Sequence, residues 1–185
     1  MKKMIIGAIV GGIILFVWQF LTWGALNLHE ANQQYTPKQD SILSYLNSQF
    51  TEDGSYYMPR TATTASKEEM EKQWKENVGK PWVQVVYHKS MPGMNKMFMN
   101  MGRSLVVNIV IIWLLCWLLV KIPSPSFGTV FIGTLGTGII AFLHGPYTMH
   151  IWYGSFDLMV FFADTLISWG VAGLWLGWWL RRGNS

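Results

Sequence analysis

The sequence has only one cysteine, Cys116, and this residue lies within a long apolar stretch. A chain with one cysteine cannot form an internal disulfide, and it contains no Cys-x-x-Cys pair. Disulfide-stapled folds and dithiol redox chemistry are therefore excluded as explanations of this chain.

Catalytic signatures are also missing. The sequence has no Gly-x-Ser-x-Gly, no phosphate-binding glycine loop, no His-Glu-x-x-His and no paired carboxylates in a catalytic frame. Its apolar stretches do not repeat one another, which disfavours an inverted-repeat transporter unless two copies associate. The sequence therefore favours a protein that is not an enzyme, and it predicts no resident cofactor.

Charged residues make up only 13% of the chain, and apolar residues are concentrated in four runs. A helix needs about 20 mostly apolar residues to cross a bilayer, and its backbone polar groups must pair internally. The runs cover residues 4–28, 104–120, 127–143 and 158–180. We predict an all-α membrane bundle of four transmembrane helices. Residues 1–28 form the first helix, residues 29–103 a small α/β module, and residues 104–182 a three-helix membrane region.

The basic residues predict an orientation, because lysine and arginine prefer the cytoplasmic side of short membrane loops. With both termini inside, that side holds five bases and no acid: Lys2, Lys3, Lys121, Arg181 and Arg182. We predict a multi-pass protein of a bacterial-type cytoplasmic membrane, with residues 29–103 and the turn at residues 144–157 outside. Lys89, Lys96 and Arg103 near the outer end of the second span conflict with this rule, which long exported segments obey weakly.

The first apolar run has a competing interpretation as a cleaved signal peptide, with Lys2 and Lys3 as its charged region. No Ala-x-Ala cleavage site follows, and the uncharged run continues to Leu28. We therefore expect a retained helix.

The formal net charge of +4 does not indicate nucleic-acid binding. The five cytoplasmic bases account for the excess, and the acids and bases of the exported segment nearly balance. We expect membrane lipid as a partner and no nucleic acid.

Local patterns predict two helices and two strands in the exported module. Thr36 is the expected N-cap of a helix ending near Phe50, and Ser66 with Glu69 forms a capping box for a second helix. Aromatic and β-branched residues at 55–58 and 82–88 are typical of paired strands. We expect these elements to need a further surface to pack against, because a two-stranded sheet is marginal alone.

Methionines are dense between residues 91 and 101. Soft thioether ligands select Cu(I), so one hypothesis is a copper site formed by Met94, Met97, Met101 and His88. The alternative is packing, because methionine fills irregular gaps where a helix meets lipid.

Polar residues inside the spans are the main functional indication, because intramembrane ionisable groups are costly and face a bundle interior or a water cavity. Asp164, Asp157 and Ser168 share one face of the fourth span by their spacing. We predict an outward-open polar cavity around Asp164. Its members are Asp164, Asn108, Gln19, Asp157 and Ser168, with His144 and His150 at the mouth. The alternative is that Gln19, Asn108 and Asp164 hydrogen-bond one another between helices.

Histidines near the outer side allow a further hypothesis. His29, His144 and His150 could hold haem in a membrane oxidoreductase, although this rests only on their shared side of the membrane.

Two of the predicted spans contain glycine motifs. Gly7 with Gly11, and Gly173 with Gly177, form Gly-x-x-x-Gly motifs that allow close helix packing. They serve packing within the bundle, or association with another membrane protein or a second copy. The leading hypothesis is an accessory or interaction subunit of the cytoplasmic membrane. The alternative is a small outward-facing transport or ion-binding protein.

Overall fold

The computed structural model describes residues 1–182 and is mostly helical. Its elements, in chain order, are α1 (Lys2–Phe20), α2 (Gln39–Gln49), β1 (Gly54–Met58), α3 (Lys67–Asn77), β2 (Val83–Tyr87), α4 (Met94–Leu119), α5 (Phe127–Phe142), α6 (Thr148–Tyr153) and α7 (Leu158–Trp179). The chain forms two compact units. The helical unit comprises residues 1–34 and the chain from Gly93 onward, and the mixed unit comprises Tyr35–Pro92.

Four helical segments of the helical unit are long and apolar enough to cross a membrane. They are Lys2–Ala25, Met94–Leu119, Phe127–Tyr153 and Leu158–Trp179. Wide π-helical turns at Leu21–Ala25 and Leu143–Tyr147 lengthen α1 and join α5 to α6. The prediction of four spanning helices is thus confirmed at the level of length and composition.

Two helical segments extend beyond the predicted spans. The second helix begins at Met94 rather than at residue 104, since helical hydrogen bonding continues through the methionine-rich stretch regardless of Lys96 and Arg103. The predicted turn at residues 144–157 is helical as far as Tyr153.

Pro146 does not end the third spanning segment, although proline lacks the N–H that a regular helix requires. It lies inside the π-helical turn, where the Thr148 hydroxyl donates to the carbonyl oxygen of Leu143 at 2.9 Å. The helix ends instead at Gly154, whose φ of 65° is the left-handed conformation that glycine adopts readily.

The first helix lies centrally in the helical unit, against both α4 and α7, while α5 packs on α7. Leu15, Ile112 and Leu176 belong to the buried apolar cluster between them. Close approach depends on glycine. A Cβ atom on Gly12 would lie 2.6 Å from the Cα atom of Ile109, and one on Gly177 would lie 2.8 Å from the Phe127 ring.

These close contacts show what the Gly-x-x-x-Gly motifs do within the chain. Gly7 and Gly11 of α1 pack against side chains of α7 and α4, and Gly173 and Gly177 of α7 pack against α5. The motifs therefore serve packing inside the helical unit.

The mixed unit contains a two-stranded antiparallel sheet, in which Gly54 pairs with Tyr87 and Met58 with Val83. The two strands and the second capping box agree with the sequence predictions. Ser66 accepts a hydrogen bond from the Glu69 backbone, and the Glu69 carboxylate accepts one from the Ser66 backbone.

The predicted N-cap of the first helix in this unit is wrong. Helix α2 begins at Gln39 after Lys38, and no side chain caps it. The Thr36 hydroxyl instead accepts from the Lys38 backbone N–H at 3.3 Å, a local turn that delays the start of the helix.

Candidate functional site: a buried histidine between two carboxylates

The candidate site centres on His29, whose side chain is almost fully buried. The chain reverses after the π-helical turn of α1. Asn27 adopts a left-handed conformation with φ of 48°, which asparagine tolerates better than most residues, and the Leu28 N–H donates to the Thr22 carbonyl oxygen at 2.9 Å. This reversal directs the imidazole back against α1 and the start of α7.

Both ring nitrogens of His29 are within hydrogen-bonding distance of carboxylates from α7 and its N-cap. Nδ1 lies 2.6 Å from Oδ2 of Asp157, and Nε2 lies 2.9 Å from Oδ2 of Asp164. The two acids are seven residues apart, about 10 Å along a helix axis, and lie on the same side. One imidazole ring therefore bridges two successive turns of the same helical face.

Aromatic side chains enclose this Asp157–His29–Asp164 bridge. The Trp23 ring stacks on His29 with centroids 3.9 Å apart, and the Phe161 ring lies 4.7 Å away on centroids. The Trp18 indole N–H donates to Oδ1 of Asp164 at 3.0 Å. Four oxygen atoms belong to the two carboxylates, and three of them have partners.

The fourth carboxylate oxygen, Oδ1 of Asp157, is buried and has no hydrogen-bond partner within residues 1–182. Asp157 is the N-cap residue of α7, yet its side chain makes no capping hydrogen bond and points to His29. The usual role of aspartate at this position is therefore replaced by the contact with the imidazole.

Forming both hydrogen bonds sets a requirement for protons at the site. Each contact between a ring nitrogen and a carboxylate requires one proton, so His29, Asp157 and Asp164 share two. Wherever these protons reside, two carboxyl groups and one imidazole with two protons carry a formal charge of −1. Within residues 1–182, both acids form ion pairs with His29 alone. With two protons the bridge has a net negative charge, and no lysine or arginine in this part of the chain forms an ion pair with either acid.

The arrangement does not resemble a metal site. The two nitrogens of one ring point in divergent directions, so the two carboxylates lie on opposite sides of the imidazole. No group of three or more His, Cys, Asp or Glu side chains in residues 1–182 has the arrangement of a metal-binding cluster.

The polar residues predicted to form one cavity fall into separate groups. Gln19 and Asn108 form one pair, in which the Asn108 amide donates to the Gln19 side-chain oxygen at 2.9 Å. Asp164 contacts Trp18 and His29 rather than this pair. Ser168 donates to the backbone carbonyl oxygen of Asp164 at 2.6 Å, not to its carboxylate.

The predicted mouth histidines also lie apart from the bridge. Nδ1 of His150 is 3.0 Å from the carbonyl oxygen of Ser155, and His144 is exposed in the π-helical turn. The haem hypothesis used His29 together with these two residues. Because both His29 nitrogens face carboxylates, iron coordination there would require breaking one of the two contacts.

The residues of the copper hypothesis are divided between the two units. Met94, Met97 and Met101 lie in the first two turns of α4, while His88 follows β2 in the mixed unit. His88 lies 3.2 Å from the Asp53 carboxylate. The Lys89 backbone N–H, a hydrogen bond from His88 and their charges lower the pKa of Asp53.

The sequence analysis used His29 only in the haem hypothesis and did not include it in the predicted cavity. The available signal was a pair of acids on one helical face with no base nearby in sequence. A buried pair of this kind requires a partner that carries protons, and His29 is the histidine closest to the end of the first span.

Comparisons with protein-family models, curated proteins and solved structures gave no match. The function is therefore inferred from the chemistry of the Asp157–His29–Asp164 bridge.

Proposed function

We propose that this is a multi-pass protein of a bacterial-type cytoplasmic membrane that binds protons at the Asp157–His29–Asp164 bridge. Both termini are on the cytoplasmic side, and the bridge lies toward the outer side. This is the ion-binding class predicted around Asp164, with the proton as the ion. The observation that carries the proposal is the buried imidazole with carboxylates on both of its nitrogens.

The charge of the bridge supports proton binding. A buried charge without a neutralising partner is costly in a medium of low dielectric constant. One further proton cancels the formal charge of −1. The Asp157 Oδ1 atom can take that proton while both contacts to His29 persist, because it takes part in neither of them.

The positions of the contacting groups support a site that changes the structure around it. His29 belongs to the loop after α1, whereas both acids belong to the start of α7. Loss of a shared proton would leave a nitrogen and an oxygen facing each other without a donor. The protonation state of the bridge therefore controls how firmly the loop is held on α7.

Infrared difference spectroscopy of the purified protein tests this proposal directly. The acidification runs between about pH 8 and about pH 5, because exposed carboxyl groups ordinarily protonate at lower pH, near about 4. The wild type should gain the C=O band of a protonated carboxyl group. Asp157→Asn should remove this band, and Asp164→Asn should remove or displace it. Asp40→Asn provides the matched control, because Asp40 is an exposed acid on α2.

The alternative role for the bridge is purely structural, as a link between the loop and α7. Asparagine preserves the shape of aspartate and can still hydrogen-bond, so a thermal unfolding measurement should show that both variants fold. If the folded wild type and both folded variants give the same infrared difference spectrum, proton binding at the bridge is refuted.

The accessory or interaction role remains a second proposal, favoured by the apolar side of α3. Met70, Trp74 and Val78 are all exposed on the mixed unit. Native mass spectrometry of the protein extracted gently from its own membrane should detect a heavier complex that Trp74→Ser weakens. Lys72→Ser on the same helix is the control, and a lone monomer in the wild-type sample would contradict this role.

A further inference from the structure

A groove lies at the end of the helical unit where α1 begins and α4 ends. Its volume is about 760 Å³, which falls within the range of about 300 to 1,000 Å³ typical of ligand sites. It lies between the first turn of α1, the end of α4 and the loop at residues 120–125, with Leu180 on one side.

The charged residues that line this groove, called the basic groove below, are all positive. Lys2, Lys3 and Lys121 line it, and none of the described residues that line it is acidic. The ammonium group of Lys121 lies 5.6 Å from the centre of the Trp117 ring. Neither Lys3 nor Lys121 forms an ion pair with an acid in the part of the chain that the structure describes.

The rest of the lining is apolar. Met4, Leu119, Val120, Ile122 and Leu180 line the same groove, and the side chains of Val120 and Ile122 are exposed. A free phosphate ion would use the lysines and leave this apolar surface without a role. A diacyl phospholipid has an anionic phosphate next to hydrocarbon, so it matches both parts of the groove.

We infer that the basic groove binds the headgroup of an anionic phospholipid, with its phosphate among Lys2, Lys3 and Lys121 and the start of an acyl chain against the exposed side chains of Val120 and Ile122. Basic pockets beside transmembrane helices bind anionic headgroups in this manner. Trp117 lies near the end of α4, and aromatic side chains at the ends of spanning helices ordinarily contact headgroups. This site is independent of the proton-binding bridge.

Native mass spectrometry of delipidated protein in detergent tests the inference, with phosphatidylglycerol as the probe. One phosphatidylglycerol should bind more tightly than phosphatidylcholine with the same acyl chains. Each basic residue contributes about fivefold to the affinity for an anionic headgroup, so Lys3→Gln with Lys121→Gln should weaken binding by about 25-fold.

The matched control is the double variant Arg181→Gln with Arg182→Gln. It removes the same charge just after α7, and neither arginine lines the groove. Its affinity for phosphatidylglycerol should stay within about twofold of the wild type, and equal unfolding temperatures should show that both double variants fold.

Three results would overturn the inference. Equal losses in the two double variants would indicate general attraction of anionic lipid to this end of the protein. Equal affinity for phosphatidylcholine would remove the role of the phosphate charge. Displacement of phosphatidylglycerol by inorganic phosphate at similar concentration would assign the groove to a free anion instead.

Discussion

The close approach of α1 to α4 at Gly12 predicts that Gly12→Ala destabilises the protein. The added Cβ atom would lie 2.6 Å from the Cα atom and 2.7 Å from the backbone nitrogen of Ile109. Carbon atoms in contact normally lie about 3.5 to 4.0 Å apart. Backbone atoms cannot rotate away as a side chain can, so the two helices must separate by about 1 Å.

The expected cost follows from two opposing effects. Overpacking of this kind destabilises a protein by about 1 to 3 kcal/mol, while replacing glycine by alanine within a helix stabilises it by roughly 0.5 to 1 kcal/mol. Gly136→Ala on α5 should show the second effect alone, because a Cβ atom there would meet nothing within 4 Å. The difference between the two variants then gives the cost of overpacking. Gly12→Ala should therefore lower the free energy of unfolding by about 1 to 3 kcal/mol relative to Gly136→Ala.

Denaturant titration in detergent micelles, followed by circular dichroism, measures this difference. A second replacement, Ile109→Ala, should not restore stability to Gly12→Ala, because the contact includes backbone atoms that every residue possesses. If Gly12→Ala and Gly136→Ala unfold at the same denaturant concentration, the close approach of α1 and α4 is refuted.

Two further predictions concern the mixed unit. Ser66→Ala removes the N-cap of α3 and should lower the local stability of this helix by about 0.5 to 2 kcal/mol. Amide hydrogen exchange in α3 measures this loss. Thr36→Ala is the control and should leave the stability of α2 unchanged, because Thr36 does not cap that helix. The pKa of Asp53 is lowered from 3.8 by the Lys89 backbone N–H and by His88. Its contribution to stability is therefore complete above pH 3.8 and is lost as the pH falls through the lower pKa of the folded state. Exchange of sheet amides as a function of pH should show this loss, and Asp53→Asn should abolish it; an unchanged acid profile in Asp53→Asn would contradict the assignment.

Hydropathy predicted the spanning helices well because every residue in such a segment contributes to the signal. Helix ends were harder to predict, since a helix continues past its apolar run wherever backbone hydrogen bonding is undisturbed. Met94 to Arg103 continues α4 in this way. The π-helical turn around Pro146 allows α5 to continue into α6, and no periodicity in the sequence indicates it.

The candidate site was only partly predictable for a related reason. The seven-residue spacing of Asp157 and Asp164 placed both on one helical face, which is a local property. The partner was not predictable, because His29 reaches that face through a chain reversal at Asn27 that depends on tertiary packing. Gln19 and Asn108 pair across helices as the packing interpretation expected, yet Asp164 does not join them.

The central position of α1 has a consequence for biosynthesis. Its contacts with α4 and α7 join residues far apart in sequence, and His29 meets Asp157 128 residues later. A ribosome releases α1 before α4 and long before α7, so Gln19 and the glycines of α1 stay uncovered until the helices that pack on them are made. The imidazole remains without its two acids until the last helix is made, and completion of the Asp157–His29–Asp164 bridge therefore coincides with completion of the helical unit.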